Sequence, residues 1–241
     1  MKRKQKICIF VAGTDTGAGK TVITGLLAKS FADSGYSVCT QKWVETGVKG
    51  GISSDIMSHI RTMGCARLFY EKYADDMSPF LFKFASSPHL AARREGKKVK
   101  IGRIISAFKR LRREFDVVIV EGAGGLMVPL DGRYTAMDVC KSLDLPVVLV
   151  AANRLGGINH TLLSYAALEN MKIKILGLIF NQPGPHVNQL IARDNPRIVK
   201  KLIKASVFGS LPRCENKKKL EKVFYSIGRK VVRSARKVCV I

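Results

Sequence analysis

The tightest constraint on this chain is a glycine-rich loop set between two segments of different period. The continuous apolar run 7–11 leads through Ala12 into Gly13-Thr14-Asp15-Thr16-Gly17-Ala18-Gly19-Lys20-Thr21, and a helical pattern covers 20–34. A buried strand, a loop of small residues and a helix that starts on Gly-Lys-Thr give a cradle of backbone amides at a helix N-terminus, which suits phosphate groups. In such a cradle Lys20 reaches the terminal phosphates and the Thr21 hydroxyl can hold Mg²⁺. The spacing departs from the common form: five residues separate Gly13 from Gly19, and Thr14 stands where the first glycine usually falls.

The same alternation continues along the chain. Apolar runs rich in β-branched residues occur at 38–42, 117–120, 146–152, 173–180 and 207–211, and helical patterns at 53–64, 89–96, 99–113, 136–143, 159–171 and 187–204. Strands buried on both faces read as unbroken hydrophobic runs, and strand-helix alternation calls for right-handed crossovers into a parallel sheet. The expected class is α/β: a doubly wound, mostly parallel sheet flanked by helices, of the P-loop NTPase type. At 241 residues and 46% hydrophobic content the chain fits one such domain over 1–241, closed by a basic helical segment at about 213–241.

Ligands of open α/β sheets bind beyond the carboxyl ends of the strands, so the loops there are the candidates for chemistry. Glu121 ends the run 117–120 and precedes Gly122-Ala123-Gly124-Gly125; an acid in that position completes a Mg²⁺ shell opposite a phosphate loop. The glycines after it allow a ligand to approach or serve a tight turn. Lys42 ends the run 38–42, where burial is costly unless its ammonium meets an anion. Beyond it lie Thr46-Gly47 and Ser54-Asp55, with Asp55 open to either metal ligation or helix capping.

The net charge is +24, with 42 Lys+Arg against 18 Asp+Glu. Residues 93–113 contribute +9 and residues 193–241 contribute +12, whereas 114–192 sum to −2. Both basic stretches read as amphipathic helices: Ile101, Ile104, Ile105, Phe108 and Leu111 form one apolar stripe, and Leu220, Val223, Phe224, Ile227 and Val231 form the other. No aromatic side chains interleave with the cations as stacking platforms would, so nucleic-acid binding is expected to be non-specific at most. Six cysteines without a CxxC pair indicate neither a zinc site nor a disulfide framework. The apolar run after the basic start is too short for an export signal, no run reaches membrane-spanning length, and Cys239 stands third from the end, where it makes no prenylation box; a cytoplasmic location is expected.

Taken together, these loops resemble those of dethiobiotin synthases from the first strand to about Pro212. The resemblance rests on Gly13 to Thr21, Lys42 with Thr46-Gly47, Asp55, Ser87-Pro88-His89, Val120 to Gly125, and Leu155-Gly156-x-Ile158-Asn159-His160. It implies an ATP-dependent carbon-nitrogen ligase that converts 7,8-diaminononanoate and CO₂ into a cyclic urea in biotin biosynthesis. It further implies that Lys20, Lys42 and Thr16 are catalytic, and that Thr16, Gly17, Ala18, Gly19, Lys20, Thr21, Glu121, Gly124 and Asn181 hold ATP. Thr21, Asp55 and Glu121 would hold Mg²⁺. Thr46, Gly156, Gly157, Ile158 and Asn159 would hold the substrate, the last four from the partner subunit of a homodimer with shared active sites. Trp43 replaces the family's usual proline after the lysine. The competing expectation is a partitioning-type P-loop ATPase that binds DNA through its basic surface, although its phosphate loop would carry a further lysine where Thr14 and Asp15 stand.

Overall fold

The computed structural model describes residues 6–182, 184 and 188–238. The expected helix start at Val187, the turn at Pro183 and Cys239 lie outside them. The strands are β1 (Ile7–Gly13), β2 (Val38–Lys42), β3 (Val44–Thr46), β4 (Phe80–Phe82), β5 (Val117–Glu121), β6 (Val147–Ala152), β7 (Ile175–Asn181) and β8 (Val207–Leu211). The helices are α1 (Lys20–Asp33), α2 (Ser54–Met63), α3 (Arg67–Met77), α4 (Pro88–Arg94), α5 (Ile101–Glu114), α6 (Ala136–Ser142), α7 (Gly157–Asn170), α8 (Gln189–Leu202) and α9 (Lys217–Val238).

Six strands form one sheet in the order β2-β5-β1-β6-β7-β8, with every neighbouring pair parallel. Because strand side chains alternate, each apolar run supplies two cores. Cys8, Phe10, Ala12, Val118, Val120, Leu149 and Ala151 face one cluster with α2 through α8; Ile7, Ile9, Val11, Ile119, Val148 and Val150 face the other with α1 and α9. The chain runs from β1 to one side of the sheet and from β5 back past β1 to β6, so the crevice of the switch point opens at the carboxyl ends of β1 and β5. Pairing of Val11 and Lys42 with Glu121, and of Ala152 with Asn181, puts the candidate loops on one edge.

Three elements go beyond the sequence expectation. Strands β3 and β4 pair in parallel as a separate small sheet, each only three residues long, below the length at which alternation is readable. Helix α3 packs Tyr70 and Met77 inward and sets Phe69 and Tyr73 against Phe115. Trp43 is buried with its ring 5.0 Å from that of Phe10, and its indole N–H donates to Gln41 Oε1 at 3.0 Å.

Both basic segments are helices, but their details differ from expectation. Helix α5 buries Ile104, Ala107, Phe108 and Leu111. Helix α9 buries Phe224, Ile227, Gly228, Val231, Val232 and Ala235, and leaves Val223 on the exposed side. A Cβ on Gly228 would collide with the Ser30 hydroxyl of α1, so this glycine sets how closely the two helices pack. The expected lack of interleaved aromatics is corrected: Tyr225 is exposed beneath Arg229 at 5.7 Å, and Tyr36 lies beneath Arg236 at 5.3 Å. No helix among the described residues is long and apolar enough to cross a membrane.

Candidate active site

The loop from Gly13 to Thr21 is pinned at both ends. Thr14, at the place of the missing glycine, donates its amide to Val150 O at 3.0 Å and accepts from the Ala152 amide at 3.2 Å through its hydroxyl, which ties the loop to β6. Asp15 accepts from the Thr16 amide at 2.7 Å and pairs with Arg154 at 2.9 Å. At the other end Gly19 caps α1 with φ 92°, and a Cβ there would collide with the Asn181 amide; Asn181 in turn donates to Ala18 O at 2.9 Å. Asn181 thus packs against the loop that was expected to share ATP with it. Thr16 and Gly17 are exposed, whereas the Ala18 side chain is buried.

Four chemistry-bearing side chains converge from four elements. Lys42 at the end of β2 donates to Glu121 Oε1 at 2.7 Å and to Gly122 O at 3.1 Å, and pairs with Asp55 Oδ2 at 2.7 Å. Thr21 in the first turn of α1 donates its hydroxyl toward Asp55 Oδ1 at 3.1 Å and Glu121 Oε1 at 3.0 Å. Asp55 does not cap α2; Ser53 does, accepting from the Ile56 amide. The N-terminus of α2 is held further by Glu45 of β3, which accepts from the Ser54 amide at 3.0 Å and the Ser54 hydroxyl at 2.6 Å and from Ser53 Oγ. Glu45 is a positioning group for Asp55 that the sequence pattern does not single out.

Two lysines are buried here, Lys20 at 6% and Lys42 at 5% exposure. Burial, reinforced by the neighbouring Lys42 ammonium, lowers Lys20 to about 8 despite Glu121, Asp55 and Asp15. Burial also works against the charge on Lys42, but Glu121 and Asp55 outweigh it and hold the ammonium above the ordinary lysine range. For Glu121 burial favours the neutral acid, yet Lys42 and a hydrogen bond from His59 keep the carboxyl well below the usual carboxylate range.

The remaining candidates lie around this centre. Gly124, with φ 65°, makes a tight turn in which a Cβ would press on Val128 at 2.8 Å, and the Thr16 hydroxyl lies beside it. Thr46 donates to Ser86 O at 2.8 Å. Ser87 and Pro88 open α4, with the proline in the first turn, where its missing N–H costs nothing. Gly156 caps α7, the Gly157 amide turns back onto Arg154 O at 2.9 Å, and Ile158 and Asn159 form the first turn, whose amides an α-helix leaves without intrahelical partners. Gly156, Ile158 and Asn159 line a cleft of about 1020 Å³ that α8 closes with Arg193 and Arg197, and no described contact joins that cleft to Glu121.

The family model described as an AAA domain matches residues 8–219. An ATP-dependent dethiobiotin synthetase of Chlorobaculum tepidum is 39% identical over 205 residues, 85% of this chain and 84% of its own. One from Thermodesulfovibrio yellowstonii is 39% identical over 214 residues, 84% of this chain and 87% of its own. The chain belongs to the dethiobiotin synthetase family. Two solved structures that it resembles are more distant in sequence. A putative plasmid partition protein of Borrelia burgdorferi bound to AMPPNP superposes with TM-score 0.59 at 12% identity, covering 95% and 99% of the two chains, and the cell-division ATPase MinD of Pyrococcus furiosus with 0.57 at 17%, covering 96% and 99%. At such identities they share the dethiobiotin synthetase chain's fold alone.

The donor set of this dethiobiotin synthetase site suits magnesium. Thr21, Asp55 and Glu121 present a hydroxyl and two carboxylates around a point that the Lys42 ammonium already marks as favourable for positive charge. Two carboxylates are what Mg²⁺ uses when nucleotide phosphates and water complete its octahedron. A self-sufficient cage would need more, and no group of three or more His, Cys, Asp or Glu that could hold a metal occurs among the described residues.

Proposed function

We propose that this chain is an ATP-dependent dethiobiotin synthase. It carboxylates 7,8-diaminononanoate with CO₂, phosphorylates the carbamate with ATP and closes the cyclic urea. The observation that carries the reading beyond a generic ATPase is the second buried lysine. A phosphate loop needs Lys20; Lys42, coming from another strand and close enough to depress Lys20, equips the site for a second anion.

In the proposed sequence one amine attacks CO₂, forming a C–N bond and releasing a proton, to give the carbamate anion. A carbamate oxygen then takes the γ-phosphoryl group, and ADP departs. The second amine attacks the carbamoyl carbon and gives up a proton, and phosphate leaves with the bonding pair as the five-membered ring closes. Lys20 and Lys42 stabilise negative charge on the phosphoryl group and the carbamate, in a site dry enough for such charges to count for more than in water. Thr21, Asp55 and Glu121 would hold Mg²⁺, which supplies charge neutralisation for the phosphates. Thr16 and the amides of Gly17 to Thr21 hold the phosphates, Asn181 and Gly124 flank the nucleotide, and Thr46 serves an amine.

The substrate carboxylate is assigned to Gly156, Gly157, Ile158 and Asn159 of a partner subunit in a homodimer. Support comes from the open α7 N-terminus, from Arg193 and Arg197 beside it, and from Leu155 and Leu190 at 80% and 76% exposure on that cleft, more apolar surface than a monomer needs to leave wet. Phosphate release from MgATP distinguishes an enzyme from a DNA-dependent switch. Stimulation by diaminononanoate with bicarbonate is expected; stimulation by duplex DNA instead would overturn the reading.

A further inference from the structure

Glu121 has two oxygens with different neighbours. Oε1 receives Lys42 and Thr21, whereas among the described residues Oε2 receives only His59 Nε2, at 2.8 Å. His59 lies one turn after Asp55 on α2, so the helix presents both side chains toward the same point. A carboxylate accepts and does not donate, which places an imidazole proton on Nε2. His59 is 0% exposed and its Nδ1 has no hydrogen-bond partner among the described residues. Burying an unpaired polar atom is unfavourable, and an apolar side chain of similar size would fill this space without that cost. What the histidine adds is the Nε2–H.

We propose that His59 is a positioning residue that locks the Glu121 carboxylate by its far oxygen, so that a single oxygen faces Thr21, Asp55 and the nucleotide's divalent cation. This one-oxygen presentation favours a small octahedral ion. Calcium takes longer bonds and readily accepts both oxygens of one carboxylate, so a Glu121 free to turn would lose discrimination between the two ions. The inference rests on Glu121 being a cation ligand, and the experiment separates the two claims.

Mn²⁺ binding in the presence of AMPPNP, followed by electron paramagnetic resonance and competed with Mg²⁺ or Ca²⁺, reads the site without turnover. His59→Leu is expected to weaken Mn²⁺ by roughly tenfold or more, the scale seen when the group behind a metal ligand is removed, and to narrow the preference for Mg²⁺ over Ca²⁺. His59→Gln, whose side-chain amide can reach the same oxygen, is expected to restore most of the affinity. In steady state His59→Leu should raise the KM for Mg²⁺ more than it lowers kcat. Wild-type Mn²⁺ affinity in His59→Leu, or equal impairment of the Leu and Gln variants, would overturn the proposal. If Glu121→Gln also binds Mn²⁺ normally, the cation role of Glu121 fails with it; if Glu121→Gln is impaired while His59→Leu is not, only His59 is removed. Should the leucine variant unfold, His59→Met replaces it, with thermal unfolding as the control for a purely structural effect.

Discussion

Lys42 is a residue whose chemistry follows from its place in the chain. A lysine at the end of an apolar run calls for an anion, and two carboxylates meet it. The same geometry changes what a substitution does. Lys42→Gln removes the charge that the proposed mechanism needs and strands two acids beside each other, so it is expected to lose about 3–5 kcal/mol of stability along with turnover. Pairing it with Glu121→Gln should return most of the stability and none of the activity, a contrast that denaturant unfolding and product assays resolve. Lys20 behaves oppositely. Its folded value near 8 lies below the ordinary 10.5, so between these pH values the unfolded chain holds the extra proton and this group's contribution to stability rises with pH. Unfolding free energies without nucleotide, measured from pH 7 to 11, should show that rise in the wild type relative to Lys20→Met, and Lys20→Met should be the more stable of the two at pH 7. The residues at strand ends were legible because strand order puts them on one edge. His59 was not: its partner is 62 residues away, and nothing in an Asp-x-x-x-His spacing on one helix says which strand it faces.

Among the elements, unbroken apolar runs marked the inner strands β1, β5, β6 and β7, because burial on both faces leaves few polar positions to blur the pattern, whereas the edge strands β2 and β8 mix in Thr40, Gln41, Lys42 and Ser210. The small β3-β4 sheet carries Glu45 and Thr46 yet escapes detection, since three residues show no period and its pairing is set by tertiary contacts. Boundaries shifted for local reasons: the helix expected from Asn159 starts at Gly157 because Gly156 adopts the left-handed cap. The α1–α9 contact gives a prediction at this scale. Gly228→Ala puts a methyl group against Ser30, and overpacking of this kind typically costs about 1–3 kcal/mol. Adding Ser30→Gly should relieve part of that loss in thermal unfolding, whereas a purely helical effect would leave the two changes additive.

For the molecule as a whole, the charge that dominates the composition is divided between the two sides of the sheet. Helix α5 belongs to one core and α9 to the other, so their basic outer faces point away from each other and form no single track for a duplex. Replacing Lys218, Lys222, Arg229 and Arg233 by Gln should therefore leave kcat for ring closure within about twofold while weakening any salt-sensitive attachment to polyanions. The proposed shared-site dimer makes a separate prediction. Lys42→Gln and Gly157→Asp variants, each inactive alone, should recover part of the wild-type rate when unfolded and refolded together, because mixed dimers would contain one intact site; no recovery would place the whole site within one chain.

The most direct test supplies purified protein with diaminononanoate, MgATP and ¹³C-labelled bicarbonate, and follows product by mass spectrometry. The expected result is dethiobiotin carrying one ¹³C in its ureido carbonyl, with one phosphate released per ring closed and neither formed when Lys42 is replaced by Gln. Phosphate release without labelled product would contradict the assignment of Lys42 and its neighbours to carbamate phosphorylation and ring closure.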